Sequence, residues 1–142
     1  MFAAVVLAAT VHTCAFDLSA AQLVVNDVNA RRSSAQEAPL AVDPRLTAIA
    51  MDRAADLVTR HYFSHVSPDG TTVVDELRTR DLHYVYAGEN LALADTADAA
   101  ETALWDSPEH RDNMLGAHYR HIGIAVVPAD GGGELVVQVF TD

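Results

Sequence analysis

The sequence predicts an α+β fold, in which several amphipathic helices and a small antiparallel sheet share one domain. Apolar residues recur at helical spacing up to Leu115, and the period changes to two after His121. The chain has 142 residues, half of them hydrophobic and a fifth charged, which is ordinary for a globular domain with its own core. We therefore expect a single domain over residues 16–142.

The first 15 residues are typical of the apolar part of a secretory signal peptide. The apolar stretch runs from Phe2 to Val11, and Thr13-Cys14-Ala15 supplies small residues of the kind found at cleavage sites. A positively charged start is missing, and the stretch is too short to span a bilayer as a helix. We expect residues 1–15 to be part of a signal peptide and the protein to be extracellular or in the cell envelope. The alternative is a buried N-terminal segment.

Two long helices are predicted in the first half of the chain. Ser19 is the expected N-cap of the first, in which Val24 and Val28 have helical spacing. Asp43 and Pro44 begin the second, because a capping residue followed by proline at the first helical position is a helix start signal. The apolar face of this second helix is formed by Leu46, Ile49, Ala50, Ala54, Leu57 and Val58.

Shorter helices and a β-hairpin follow. The expected helices run from Thr72 to Arg80, from Thr96 to about Trp105, and from Ser107-Pro108 to Leu115. Two β-branched runs, at 121–127 and 134–141, are separated by the turn cluster PADGGG and predict a hairpin. The pattern of residues 82–93 is ambiguous, and part of it could form a third strand.

Charge and composition exclude several classes of function. The net charge of −11 argues against nucleic acid as a partner and against an anionic membrane surface. All nine basic residues are arginine, which excludes lysine Schiff-base chemistry and the P-loop lysine. Cys14 is the only cysteine, so an intramolecular disulfide and a cysteine-based zinc site are excluded as well.

Five polar residues could converge on one cleft: His65, Glu89, Asp106, Glu109 and His110. Histidine and carboxylate side chains suit a divalent metal such as zinc, and they could equally perform acid–base chemistry near neutral pH. Their spacing carries no metal signature. The alternative is that His65 caps a helix, Glu89 pairs with an arginine and His110 packs in a helical turn.

Four sequence words occur in the order seen in a known family. They are FSHVSPDG, AGENLAL, ALWDSPEHRDNML, and HIGIAVV followed by LVVQVF. From about Ala20 to its end the chain resembles bacterial members of the CAP superfamily, also called SCP-like domains. That superfamily contains the cysteine-rich secretory proteins, antigen 5 and the pathogenesis-related class 1 proteins. The resemblance implies an α-β-α sandwich, with an antiparallel sheet between helical layers.

The resemblance also implies a cleft that holds two histidines and two acidic residues. His65, Glu89 and His110 match three of these positions, and they are the residues expected to hold a divalent cation such as Zn²⁺. The fourth position does not carry over, because a proline stands where eukaryotic relatives have glutamate. Asp106 or Glu109 could take its place, although neither matches the motif.

Three functions remain open at this point. We favour an exported, non-enzymatic binding module for a lipid, a small apolar ligand or a peptide, since relatives have been linked to sterol and fatty-acid binding and to divalent-metal sites. One alternative is a metal-dependent hydrolase or peptidase with Glu89 as the general base, although no H-E-x-x-H motif supports it. The other is a surface interaction module whose cleft is vestigial. We expect a monomer with no nucleic-acid partner.

Overall fold

The computed structural model describes residues 15–142, so the predicted signal peptide lies outside the described residues except for Ala15. In this part of the chain the elements follow one another as α1 (Leu18–Ser34), β1 (Ala41–Val42), α2 (Pro44–Thr59), α3 (Val73–Thr79), β2 (Ala87–Ala94), α4 (Ala97–Asp106), α5 (Pro108–Leu115), β3 (His121–Pro128) and β4 (Glu134–Thr141).

The strands form one sheet in the order β1-β3-β4-β2. β3 and β4 pair antiparallel as the predicted hairpin, and β2 adds antiparallel to β4, so the ambiguous segment does contain a strand. β1 pairs parallel with β3, with Ala41 opposite His121. The sequence did not predict β1, because a strand of two residues is too short to show an alternating pattern.

Helices cover both faces of the sheet, and the predicted α-β-α sandwich is confirmed. One core lies between the sheet and the layer of α1, α4 and α5, and a second lies between the sheet and the layer of α2 and α3. The strands alternate between the two, so that Ile122 and Ile124 face the first core while Ala125 and Val127 face the second. No helix within residues 15–142 is long and apolar enough to cross a bilayer.

Local capping sets where the helices begin. Asp43 accepts a hydrogen bond from the backbone N–H of Arg45 at 2.8 Å, and Pro44 opens α2, as the sequence predicts. The N-cap predicted at Ser19 is wrong. Asp17 caps α1 instead by accepting from the N–H of Ala20 at 2.8 Å, which leaves Ser19 inside the first helical turn.

Gly123 permits the closest approach between a helix and the sheet. A Cβ atom at this position in β3 would lie 2.1 Å from the carbonyl carbon of Leu46 in α2. Only glycine therefore allows α2 to pack directly on the strand. This contact fixes the helix from which Arg53 reaches the site described next.

Candidate functional site

His65 lies in the loop that follows α2. The chain leaves the helix through His61, whose φ of 53° is in the left-handed region. The Pro-Asp-Gly turn is then closed by two backbone hydrogen bonds of 2.8 Å, from Ser67 N–H to Thr71 O and from Gly70 N–H to Ser67 O. This loop leaves the His65 side chain 56% exposed.

Glu89 lies in β2 and faces the α2 layer, where its carboxylate is shared by two partners. Oε2 lies 2.8 Å from Nδ1 of His65, and Oε1 accepts a hydrogen bond of 2.8 Å from Nε of Arg53. The side chains of Arg53 and Glu89 are 2% and 3% exposed. His65 and Glu89 therefore lie in direct contact, and Glu89 also pairs with an arginine.

Arg53 ties the loop to the carboxylate. Its Nη1 donates to the hydroxyl oxygens of Tyr62 and Ser67, each at 2.9 Å, and its Nη2 donates to the carbonyl of Ser64 at 3.1 Å. One buried guanidinium thus holds Glu89 and the segment on both sides of His65. The sequence offered a signal for this residue, because Arg53 is a charged residue on the otherwise apolar face of α2.

The hydrogen bond to Glu89 raises the pKa of the His65 imidazole above its ordinary value, and the charge of Glu89 adds to this rise. Partial burial and the charge of Arg53 oppose it. If the Nδ1 proton is directed at Glu89, the other ring nitrogen, Nε2, faces outward. Protonated, it is a hydrogen-bond donor; neutral, it is a lone-pair acceptor.

His110 approaches the same strand from the opposite layer. Its Nδ1 lies 2.8 Å from Oγ of Ser107, the N-cap residue of α5. Its carbonyl accepts from Nδ2 of Asn90 at 3.0 Å, and Oδ1 of Asn90 accepts from Nδ2 of Asn113 at 2.8 Å. The two asparagines thus fix the main chain of His110 beside β2, the edge strand that also carries Glu89.

Asp106 and Glu109 are not joined to this group. Asp106 is the last residue of α4, Glu109 lies in the first turn of α5, and both are exposed. Within residues 15–142 neither makes a hydrogen bond or an ion pair with His65, Glu89 or His110. The structure therefore supplies no fourth acidic member from these two positions.

The donor set does not fit a three-ligand metal centre in this arrangement. Both oxygens of Glu89 are engaged, by Arg53 and by His65. Over the described part of the chain, no three histidine, cysteine, aspartate or glutamate side chains lie together so that they could hold a metal ion. Glu89 is placed to orient His65, as carboxylates do behind many imidazoles. The prediction of a bound cation stays a prediction.

The sequence profile of the cysteine-rich secretory protein family, CAP, matches residues 25–140. The chain belongs to the CAP family. This CAP domain is 31% identical over 118 residues to "Uncharacterized protein YkwD" of Bacillus subtilis, a match that covers 82% of the chain. It spans less than half of that relative, 45% of its length.

Solved structures share the fold of this CAP domain. An extracellular protein of Bacillus anthracis that contains an SCP domain superposes with a TM-score of 0.75 at 26% identity, over 87% of this chain and 40% of that one. An outer surface protein of Borrelia burgdorferi superposes with a TM-score of 0.83, over 92% of this chain and 98% of that one. At 17% identity the second likeness shows the fold alone.

Proposed function

We propose that this CAP domain is an exported, non-enzymatic binding module whose cleft takes the polar end of a lipid or another small apolar ligand at His65. One observation carries the proposal: an exposed imidazole is held by a buried carboxylate that is itself held by a buried arginine. Such a group is preorganised to meet a ligand, because little side-chain freedom is lost when the ligand binds.

The chemistry of His65 defines the polar end of the ligand. A protonated imidazole directs Nδ1–H at Glu89 and offers Nε2–H to an acceptor. The raised pKa increases the protonated fraction at neutral pH. A carboxylate or carbonyl oxygen on the ligand is the natural partner, and a carboxylate gains a charge-assisted hydrogen bond.

Apolar surface lies close to His65 in the chain. Phe63 and Val66, on either side of it, are about half exposed. Phe63 also lines an apolar groove of about 280 Å³, together with Leu57, Val58, Tyr62, Leu93 and Leu135. A ligand with an acceptor at one end and an alkyl chain would bury this surface, which is favourable at roughly 25 cal/mol per Å².

The engaged carboxylate favours binding over hydrolysis. A general base must lie within hydrogen-bond reach of the proton that it removes. Glu89 is buried and each of its oxygens already has a partner, which disfavours it as a general base for water. Export is supported by the bacterial neighbours, which are described as an extracellular and an outer surface protein.

Octanoate is the probe that tests this function, because it combines a carboxylate with a short alkyl chain. Calorimetric titration at neutral pH compares the wild type with His65→Ala and with His83→Ala, which removes an exposed histidine outside the site. We expect His65→Ala to weaken binding about tenfold, the loss of one charge-assisted hydrogen bond, and His83→Ala to have no effect. Equal affinity in all three proteins, or no binding by the wild type, would overturn the proposal.

The same chemistry gives a test of the hydrolase alternative. Hydrolysis of p-nitrophenyl octanoate is followed in the wild type and in Glu89→Gln, with the fold of each checked by circular dichroism. We expect no turnover above the uncatalysed rate in either protein. Turnover by the wild type that disappears in a folded Glu89→Gln variant would favour the hydrolase.

A further inference from the structure

A row of side-chain amides, partly buried at Asn113 and fully buried at Asn90 and Gln138, runs from the His110 segment across two strands to Glu101 in α4. Asn113 Nδ2 donates to Asn90 Oδ1 at 2.8 Å, Asn90 Nδ2 donates to Gln138 Oε1 at 3.0 Å, and Gln138 Nε2 donates to Glu101 Oε2 at 2.6 Å. Asn90 Nδ2 also donates to the carbonyl of His110 at 3.0 Å. Strand β2, which carries Glu89, is thus linked to the carboxyl group of Glu101 in the layer of α1, α4 and α5.

This row lies in the interior. Asn90 and Gln138 are fully buried and face one another across β2 and β4 in register. Glu101 is 3% exposed, and its second oxygen, Oε1, is buried without a hydrogen-bond partner within the described residues. A buried carboxyl oxygen without a hydrogen-bond partner costs free energy, so Glu101 is the least satisfied member of the row.

All the hydrogen bonds of the row are donated in the same direction, and the ionisation state of Glu101 sets that direction. Every amide donates toward Glu101, and an ionised carboxylate can only accept. A protonated carboxyl must either donate to Gln138 or leave an O–H buried without an acceptor. Donation to Gln138 turns the amides of Gln138 and Asn90 around. Asn90 then presents its oxygen to the carbonyl of His110 and its NH₂ group to Asn113, whose amide must turn as well.

Burial, together with nearby charges, brings the protonation of Glu101 into the neutral range. Burial is the main cause that raises the pKa of Glu101, to about 7, and the charges of Asp27 and Asp98 raise it further. Arg31 and the hydrogen bond from Gln138 act in the opposite direction. Asp27 and Arg31 lie on α1, Asp98 lies on α4, and Gln138 is the neutral group that faces Glu101 from β4.

We propose that Glu101 is a positioning residue for His110, whose main chain the amide row holds while the Glu101 carboxyl is ionised, and that a proton on Glu101 releases that hold. His110 is one of the predicted site residues described above. The coupling is measured without a ligand, so it stands or fails separately from the proposed binding function.

Nuclear magnetic resonance follows both ends of the row in one titration from acidic to alkaline pH. The carboxyl carbon of Glu101 reports its ionisation, and the side-chain NH₂ groups of Asn90 and Asn113 with the carbonyl carbon of His110 report the row. The ring protons of His110 are followed beside them, so that a response of the row to the His110 ring can be told from a response to Glu101. Glu101→Gln is the neutral isostere, and Glu109→Gln is the matched control on an exposed residue.

We expect the Asn90 signals and the His110 carbonyl to follow the midpoint of the Glu101 carboxyl, to lose that inflection in Glu101→Gln, and to keep it in Glu109→Gln. The inference is overturned if these signals follow the midpoint of the His110 ring instead, or if the inflection persists in Glu101→Gln. Should Glu101→Gln not fold, the comparison of midpoints in the wild type alone decides between the two results.

Discussion

Arg53 and Glu89 form a buried ion pair, with 2.8 Å between Nε and Oε1 and side chains that are 2% and 3% exposed. The pair joins α2 to the edge strand β2, and the remaining contacts of each partner converge on the loop of His65. The placement of the His65 loop therefore depends on a charge pair in the interior.

Breaking the pair is expected to be costly. Glu89→Gln leaves the guanidinium of Arg53 buried without its counter-charge, which should lower the free energy of unfolding by about 3 kcal/mol. Glu76→Gln is the control, because it weakens a longer and partly exposed ion pair with Arg80 and should lose less than about 1 kcal/mol. Urea denaturation at neutral pH measures both. Equal losses in the two variants would contradict a buried and essential pair.

Glu101 should make stability fall as the pH rises. Its pKa is about 7 in the folded protein against 4.5 when exposed, so the native state binds the extra proton between these values. By linkage this contribution is complete below about pH 4.5 and is lost through pH 7, in total about 3 kcal/mol. When the pH rises from 5 to 8, therefore, the free energy of unfolding should fall less in Glu101→Gln than in the wild type. Parallel curves of unfolding free energy against pH for the two proteins would contradict this role of Glu101.

Gly123→Ala tests the close approach of α2 to the sheet. The added methyl group meets the backbone at Leu46, which cannot move aside as a side chain would. We expect a loss of about 3 kcal/mol in the free energy of unfolding. Gly131→Ala is the comparison, since its site is open and only the left-handed φ of 86° is strained, at about 1 kcal/mol. Similar losses in both would show that α2 can shift away from β3.

Zinc titration tests the predicted cation. Chelator-stripped protein is titrated by calorimetry beside the His65→Ala/His110→Ala double variant. Because the contacts of Glu89 leave no third ligand among residues 15–142, we expect weak binding that does not saturate at one equivalent of zinc. Saturation at one equivalent that is lost in the double variant would contradict this and show that the two histidines bind the metal.

The fold was largely predictable from local patterns. Helix starts were found from Asp43-Pro44 and Ser107-Pro108, because an N-cap residue and the proline after it are neighbours in the sequence. The apolar face of α2 was found from its helical spacing. β1 was missed because two residues carry no period, and the cap of α1 was misplaced because Asp17 and Ser19 are both good N-cap residues.

The site was only partly predictable for a different reason. The resemblance identified His65, Glu89 and His110. Spacing along the chain could not show that Arg53 in α2, 36 residues before Glu89, donates a hydrogen bond to its carboxylate. The amide row that ends at Glu101 was also missed. It depends on cross-strand register, which places Asn90 opposite Gln138 and is absent from any local pattern.

The pKa of His65, measured from its ring protons with and without octanoate, tests the central claim most directly. If Glu89 holds this imidazole ready to bind an acceptor, the pKa lies above its ordinary value of 6.5, falls in a folded Glu89→Gln variant, and rises when octanoate binds, because the ligand carboxylate stabilises the imidazolium. A pKa that saturating octanoate leaves unchanged would contradict the claim that His65 receives the polar end of the ligand.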